Sequence, residues 1–248
     1  MSKIMLITGA SRGIGSATAR LAASRGYRVC INYHQRRDAA EQLVREIEAD
    51  GGQAIAVAAD VADERQVLRL FEVLDRQLGC LDVLVNNADM LAPQMRLEQM
   101  DAARLQRVFA VNVLGSFLCA REAIKRMSTE HGGRGGAIVN LSSIAARLGA
   151  PNEYIDYAAA KGAIDSMTLG LAKEVATQGI RVNAVRPGVI HTEIHASGGE
   201  PQRIERVKSS VPMGRGGQTE EVAKAILWLA DDEASYTSGA LLDVSGGR

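Results

Sequence analysis

The chain has 248 residues, 46% of them hydrophobic and 23% charged, a balance that excludes an intrinsically disordered protein and supplies one well-filled core. Its 29 basic residues balance 29 acidic ones, so no net field draws it toward nucleic acid or an anionic membrane, and no apolar run approaches the roughly 20 residues of a membrane-spanning helix. Cys30, Cys80 and Cys119 lie far apart with no CxxC spacing, which predicts reduced thiols and a cytoplasmic location.

After Met-Ser-Lys comes a stretch of four apolar residues running into Thr8-Gly9, too short for a signal-peptide core. It reads instead as a strand, 4–8, followed by a helix at 14–25. The alternation continues with strand 28–33 and helix 38–50, then strand 54–58 and helix 63–78. Next come strand 81–86, a long helix near 101–127, a glycine-rich turn at 132–136, strand 137–142, helix 157–177 and strand 181–186. Apolar runs such as Ile4-Met-Leu-Ile7 and Ala137-Ile-Val-Asn-Leu141 predict strands covered on both faces. The fold class is therefore α/β, a Rossmann-like doubly wound parallel sheet with helices on both faces. From 187 to about 217 the pattern lapses into Gly, Ser, Pro and charged residues, then resumes with helix 219–231 and a strand near 240–243. No repeat or linker divides the chain, so residues 1–248 are expected to form a single domain whose irregular stretch is functional.

Strand 4–8 runs directly into Thr8-Gly9-Ala10-Ser11-Arg12-Gly13-Ile14-Gly15, a Gly-x-x-x-Gly-x-Gly loop at the first βα turn. Gly9 permits the tight turn, Gly13 lets backbone approach a pyrophosphate, and Gly15 allows close helix-strand packing. With Ser11, Arg12 and Ile14 these residues are candidates for binding a dinucleotide at the helix N-terminus. The second strand ends Asn32-Tyr33-His34-Gln35-Arg36-Arg37. An acid there would accept from the ribose of NAD; with none present, and with Arg12, Arg36 and Arg37 available for a 2′-phosphate, the reading favours NADP(H), with NAD(H) possible. Asp60-Val61 closes the third strand and Asn86-Asn87-Ala88 the fourth, both at carboxyl ends where open sheets bind ligands. Asp60 is a candidate adenine partner, with helix capping as its rival role.

Tyr157-Ala-Ala-Ala-Lys161 begins a helix, and Ser142-Ser143 ends the strand before it. Positions i and i+4 share a helix face. The spacing therefore predicts that the Lys161 ammonium lies near the Tyr157 phenol and lowers its pKa, while Ser143 binds a substrate oxygen and Tyr157 gives or takes a proton. Lys161 is also a candidate ligand of the nicotinamide ribose. Tyr154 competes with Tyr157 for the pocket but has no lysine at i+4, which leaves it as a substrate contact or a packing aromatic.

Taken together, Thr8–Gly15, Asn86–Ala88, Ser142-Ser143 and Tyr157/Lys161 resemble the short-chain dehydrogenase/reductase family along essentially the whole chain. The resemblance implies a seven-stranded sheet, a nicotinamide cofactor and a Ser-Tyr-Lys triad supported by an Asn. By it, Tyr157 is the acid/base, Lys161 the pKa-lowering ribose ligand, Ser143 the substrate-oxygen ligand and Asn112 the fourth member. Asn112 would open a gap in its helix for a water, its alternative being a buried amide with satisfied partners. Ser142 is the alternative serine, but the family's spacing to Gly149, as the resemblance implies it, favours Ser143. Pro187-Gly188-Val189-Ile190-His191-Thr192 resembles the family's Pro-Gly turn, with Ile190 and Thr192 reaching the carboxamide, and residues from about 190 to 215 would form a substrate lid. Within the family, Asn32-Tyr33 and Asp243-Val-Ser-Gly-Gly look like members that are glucose dehydrogenases or 3-oxoacyl-carrier-protein reductases. The activity implied is interconversion of a secondary alcohol and a carbonyl compound, with a small-molecule substrate and a homotetrameric assembly.

Two departures stand out. Asp89 replaces the glycine that ends the family's Asn-Asn-Ala-Gly motif, which would strain the turn and place a carboxylate near the cofactor. The stretch from Ser143 to Tyr157 is one residue longer than usual, the extra residue lying in 150–156. Asp89 also motivates a different reading, a catalytically idle NADP(H) binder with a regulatory or structural role. His191-Thr-Glu193-Ile-His195 has metal-like residue types in the wrong order for a zinc site, and no metal is expected.

Overall fold

A computed structural model of the protein describes residues 2–248. Its centre is a seven-stranded sheet of β1 (Ile4–Ile7), β2 (Arg28–Tyr33), β3 (Gln53–Ala58), β4 (Val83–Asn86), β5 (Gly136–Leu141), β6 (Ile180–Pro187) and β7 (Leu241–Val244). All neighbours pair in parallel, in the order β3-β2-β1-β4-β5-β6-β7. The chain winds outward from β1 to β3, then returns to lay β4 against β1. That reversal opens a crevice at the carboxyl ends of β1 and β4.

Strand side chains alternate between two apolar layers, as a period of two requires. Leu6 and Leu84 face a layer containing Val67, Leu70, Phe71, Leu74, Leu118 and Ile164, supplied by α3 (Glu64–Gln77), α5 (Gly115–Met127) and α7 (Ile155–Glu174). Met5, Ile7 and Val85 face the other, with Ala19, Ala22, Leu43, Ile47, Val222 and Ile226 from α1 (Gly13–Ser24), α2 (Arg37–Ala49) and α10 (Thr219–Ala230). Burying each Leu- or Ile-sized side chain stabilises the fold by roughly 1.5–3 kcal/mol. In α3 the spacing of Val67, Leu70, Phe71 and Leu74 places all four on the core face, and Asp63 fixes its start by accepting from the N–H groups of Arg65 and Gln66.

The expected long helix at 101–127 is instead two helices, α4 (Ala102–Phe109) and α5, joined by a π-helical turn over 110–114. The physical reason is Asn112, whose amide leaves the helix to pair with Met90: its Nδ2 donates to the Met90 carbonyl and its Oδ1 accepts the Met90 N–H, both at 2.9 Å. The stretch expected to be irregular contains two short helices, α8 (Ile194–Ser197) and α9 (Arg203–Val207), and a further short helix, α6 (Ala145–Leu148), precedes α7. α7 itself begins two residues earlier than expected, which places Tyr157 in its first turn.

Asp89 does not strain its turn, contrary to expectation. Among the described residues, the non-glycine residues with positive φ are Ala150 (44°) and Asn152 (61°), both inside the segment 150–156. An alanine in the left-handed region costs about 1–2 kcal/mol, more than a glycine loses through its freer unfolded state. Ala150→Gly is therefore expected to stabilise the protein by roughly 0.5–1 kcal/mol, measured as a higher midpoint in urea. A lowered midpoint would show that the Ala150 methyl contributes packing that outweighs the strain.

Candidate active site

The glycine loop leaves β1 and turns into α1 at the crevice. Gly9 (φ 62°) cannot carry a side chain, since a Cβ there would stand 2.7 Å from Ala88 Cα, and one at Gly15 would stand 2.6 Å from Asn87 Nδ2 and 2.8 Å from Ala10 Cα. At Gly13 a Cβ would make only ordinary contact with Thr192, at 3.5 Å, and it is the positive φ of 56° that requires glycine. Two asparagines shape the loop: Asn87 Nδ2 donates to the carbonyls of Thr8 (2.8 Å) and Gly9 (3.1 Å), and Asn32 Oδ1 accepts from the Gly9 N–H at 3.1 Å. Asn32 Nδ2 donates in turn to the Ala59 carbonyl, so its polar atoms hold loop and sheet together. Among the described residues no side chain caps α1, which leaves its first N–H groups and positive end for an anion.

At the far end of the crevice, Asp60 accepts from Arg107 Nη2 at 3.0 Å and from the Ala62 N–H, and stands 3.8 Å from His34. The capping role weighed for Asp60 belongs to Asp63. Arg12 and Arg36 converge on Glu193 at 3.0 and 3.3 Å, whereas Arg37 turns away to Glu41. Glu193 thus links two arginines rather than pairing with the histidines beside it. His195 is buried against the Ile190 carbonyl, and burial holds its pKa below the ordinary value.

Beyond the loop lies the cluster of Ser143, Tyr157, Lys161 and Asp89. Ser142 is buried and donates to the Lys161 carbonyl at 3.1 Å, while the Ser143 hydroxyl faces the cavity and accepts the Ala145 N–H. Lys161 is 2% exposed; its Nζ donates to the Leu141 carbonyl at 2.7 Å and lies 3.3 Å from Asp89 Oδ2 and 5.4 Å from the Tyr157 ring centroid. The Tyr157 hydroxyl donates to the same Asp89 oxygen at 3.1 Å. The expected lowering of the Tyr157 pKa is therefore reversed. Burial and then the Asp89 carboxylate push the phenol well above its ordinary value, against smaller opposing effects of Ser143 and Arg203.

The segment after β6 closes the crevice. A Cβ on Gly188 would meet Ser245 Cα at 2.8 Å, and Thr192 covers Gly13, the distance from its Cγ2 to a Cβ built there being 3.5 Å. Tyr154 is buried, donates to the Gly198 carbonyl at 3.1 Å and stacks under Arg203, so it braces the 190–215 segment. Arg203 pairs in turn with Glu153.

One cavity of about 800 Å³ joins these parts. Of the residues expected at the site, Gly9, Ser11, Arg12, Gly13, Ile14 and Asn32 line it, as do His34, Asp60, Val61, Asn87, Ala88, Ser143 and Tyr157, and Pro187, Gly188, Ile190 and Thr192. Gly15, Tyr33, Asn112 and Lys161 stand behind its wall. The cavity also takes in Arg107 and Arg203, and Met90, Leu91, Leu148 and Ile194 give its chemical end an apolar wall. The sequence carried no periodic signal for these side chains, because they reach the cavity from loops and short helices. A volume of this size, an uncapped helix start and a loop whose glycines admit backbone approach fit a dinucleotide.

The crevice is that of a dinucleotide-dependent α/β oxidoreductase. A family model described as enoyl-(acyl carrier protein) reductase matches residues 9–248. The chain is 56% identical over 245 residues to the uncharacterized oxidoreductase YgfF of Escherichia coli K12, covering 99% of both chains. It is 41% identical to a 3-oxoacyl-[acyl-carrier-protein] reductase of Synechocystis, covering 99% of this chain and 96% of that one. Among solved structures, the 3-ketoacyl-(acyl-carrier-protein) reductase of Brucella melitensis complexed with NADH superposes with a TM-score of 0.92 at 33% identity, over 99% and 98% of the two chains. The chain belongs to the short-chain dehydrogenase/reductase family, whose members are NAD(P)-dependent oxidoreductases.

Proposed function

We propose that the protein is an NADP(H)-dependent oxidoreductase that interconverts a secondary alcohol and a carbonyl compound with Tyr157 as acid/base. The observation that carries this reading is the placement of Ser143 and Tyr157 on the same cavity as the glycine loop, with Lys161 directly behind them. When bound, the nicotinamide supplies or accepts the hydride. Ser143 Oγ would hold the substrate oxygen. Tyr157 Oη would donate its proton to that oxygen in reduction and recover it in oxidation, while the lid segment excludes water.

The cofactor's 2′-phosphate would take the place of Glu193 between Arg12 and Arg36. Removing one charge-assisted contact costs about 1.5–3 kcal/mol, so Arg12→Ala and Arg36→Ala are each expected to raise the Kd for NADPH by roughly 10–100-fold while changing that for NADH little. Fluorescence titration of both cofactors reads this directly. Equal losses for the two cofactors would sink the NADP(H) preference.

The substrate end favours a carbonyl compound with an apolar body over a sugar. Its wall includes Met90, Leu91, Leu148 and Ile194 beside Glu153, Tyr154, His195 and Arg203, and the arginines nearest the lid are matched by acids, Arg203 by Glu153 and Arg206 by Glu200 and Glu153. The polar side chains there are already engaged, Tyr154 with the Gly198 carbonyl, His195 with the Ile190 carbonyl and Arg203 with Glu153, which leaves few of the hydrogen-bonding groups a sugar dehydrogenase needs, and the matched charges leave little free basic surface for an acidic carrier protein. Following NADPH oxidation across aliphatic and aromatic ketones, sugars and 3-oxoacyl thioesters tests this reading. Turnover confined to sugars would overturn it. Exposed Phe109, Leu114, Phe117 and Leu169, on α4, the π-helical turn, α5 and α7, support a homotetramer assembled through these helices, to be read from light scattering.

A further inference from the structure

Asp89 is the residue at this site with no place in the reading above. Its side chain is largely enclosed, its Oδ2 touches both the Tyr157 hydroxyl and the Lys161 ammonium (3.1 and 3.3 Å), and its Oδ1 is buried without a partner among the described residues. The backbone on either side is pinned: the Ala88 N–H donates to Thr8 Oγ1 at 2.9 Å, and both backbone groups of Met90 are held by Asn112. Burial raises the Asp89 pKa, the Lys161 ammonium and then the Tyr157 hydroxyl oppose that rise, and the side chain is a fixed part of the cavity wall.

We propose that Asp89 is a positioning residue for proton transfer, a built-in counter-charge that neutralises Lys161 and holds the Tyr157 phenol protonated through the neutral range. The inference rests on the proposed role of Tyr157 and adds to it a direction. A carboxylate about 3 Å from a phenol opposes its ionisation, and pairing with Lys161 removes the positive charge that would otherwise favour the phenolate. The other groups facing Tyr157 do not cancel this. The Ser143 hydroxyl faces it from the end of β5, and Arg203 of α9 is paired with Glu153 and Glu200. Arg104 of α4 is paired with Asp156. Tyr157 in this state is ready to donate a proton to a carbonyl oxygen, which is the need of reduction. Alcohol oxidation needs the phenolate as base, so it should rise only at more alkaline pH. The equilibrium of the overall reaction is unchanged; only the pH at which each direction becomes fast is set.

The test is the ionisation of Tyr157 itself, followed as the near-ultraviolet phenolate absorbance of the folded protein minus that of the matching Tyr157→Phe protein. Asp89→Asn keeps the size and a hydrogen-bond acceptor but removes the charge, and Asp89→Glu keeps the charge. The expected result is that Asp89→Asn moves the Tyr157 midpoint acidic by roughly one to three pH units, while Asp89→Glu restores most of it. The alkaline rise of kcat/KM for alcohol oxidation should move with it. Thermal unfolding and NADPH binding, measured on the same proteins, confirm that each is folded. A Tyr157 midpoint in Asp89→Asn that equals the wild type, or lies more alkaline, overturns the proposal. Because the titration needs neither substrate nor turnover, a shift without any Tyr157-dependent turnover would leave the Asp89 inference standing and defeat the proposed function instead.

Discussion

Tyr157→Phe is expected to lower turnover by about 10²–10⁴-fold, the usual contribution of a positioned acid/base, with Kd for NADPH changed little. The substitution is clean because the Tyr157 hydroxyl donates to Asp89 Oδ2, and that oxygen keeps Lys161 as a partner when the hydroxyl is gone. The ring stays in its cavity wall, so Lys161 and the glycine loop are undisturbed. Single-turnover oxidation of bound NADPH on adding a turned-over carbonyl compound separates chemistry from binding. A variant that retains most of its turnover would remove Tyr157 from the reaction and favour the reading of a nucleotide binder whose triad is not used, for which the contact between Asp89 and Tyr157 is the structural motive.

The sheet and most of the crevice were legible in the sequence because they rest on local signals. Four-residue apolar strands such as Ile4–Ile7, the Gly9–Gly15 loop and the i,i+4 pair Tyr157/Lys161 each encode their geometry within a few residues. Features that depend on distant partners were not legible. Asn112 breaks its helix because Met90, 22 positions away, presents a backbone N–H and carbonyl at the right height. The Tyr157 pKa is raised by burial and then by Asp89, 68 positions away; the replacement of glycine was visible, but its consequence was expected in the backbone and appears in the side chain. Asn32 shows the same limit in reverse, its position at the end of β2 being readable and its engagement with Gly9, Val57 and Ala59 not. Helices α8 and α9, four and five residues long, are too short to display a 3.6-residue period and so read as irregular chain.

Asp156→Ala is expected to be the most destabilising single change near the site. Asp156 is 2% exposed and Arg104 11%, and the two are joined by a forked pair in which Arg104 Nε and Nη2 donate to the two carboxylate oxygens at 2.8 and 3.3 Å. Arg104 Nη1 also donates to the Pro93 carbonyl at 2.6 Å, and Asp156 Oδ1 accepts the Tyr157 N–H at 2.9 Å. The pair therefore clamps α4, the loop before it and the first turn of α7 around the residue that carries the chemistry. Removing the carboxylate leaves a guanidinium buried without its counter-charge, a loss of about 3–5 kcal/mol. For a chain of this length that lowers the unfolding midpoint by roughly 6–20 °C, readable by calorimetry. Adding Arg104→Met to Asp156→Ala should recover much of the loss, since an apolar side chain leaves no uncompensated charge. If the double variant is no more stable than the single one, the penalty lies in the freed Tyr157 N–H and the start of α7 rather than in the buried charge, and the deficit in turnover should then exceed the deficit in stability.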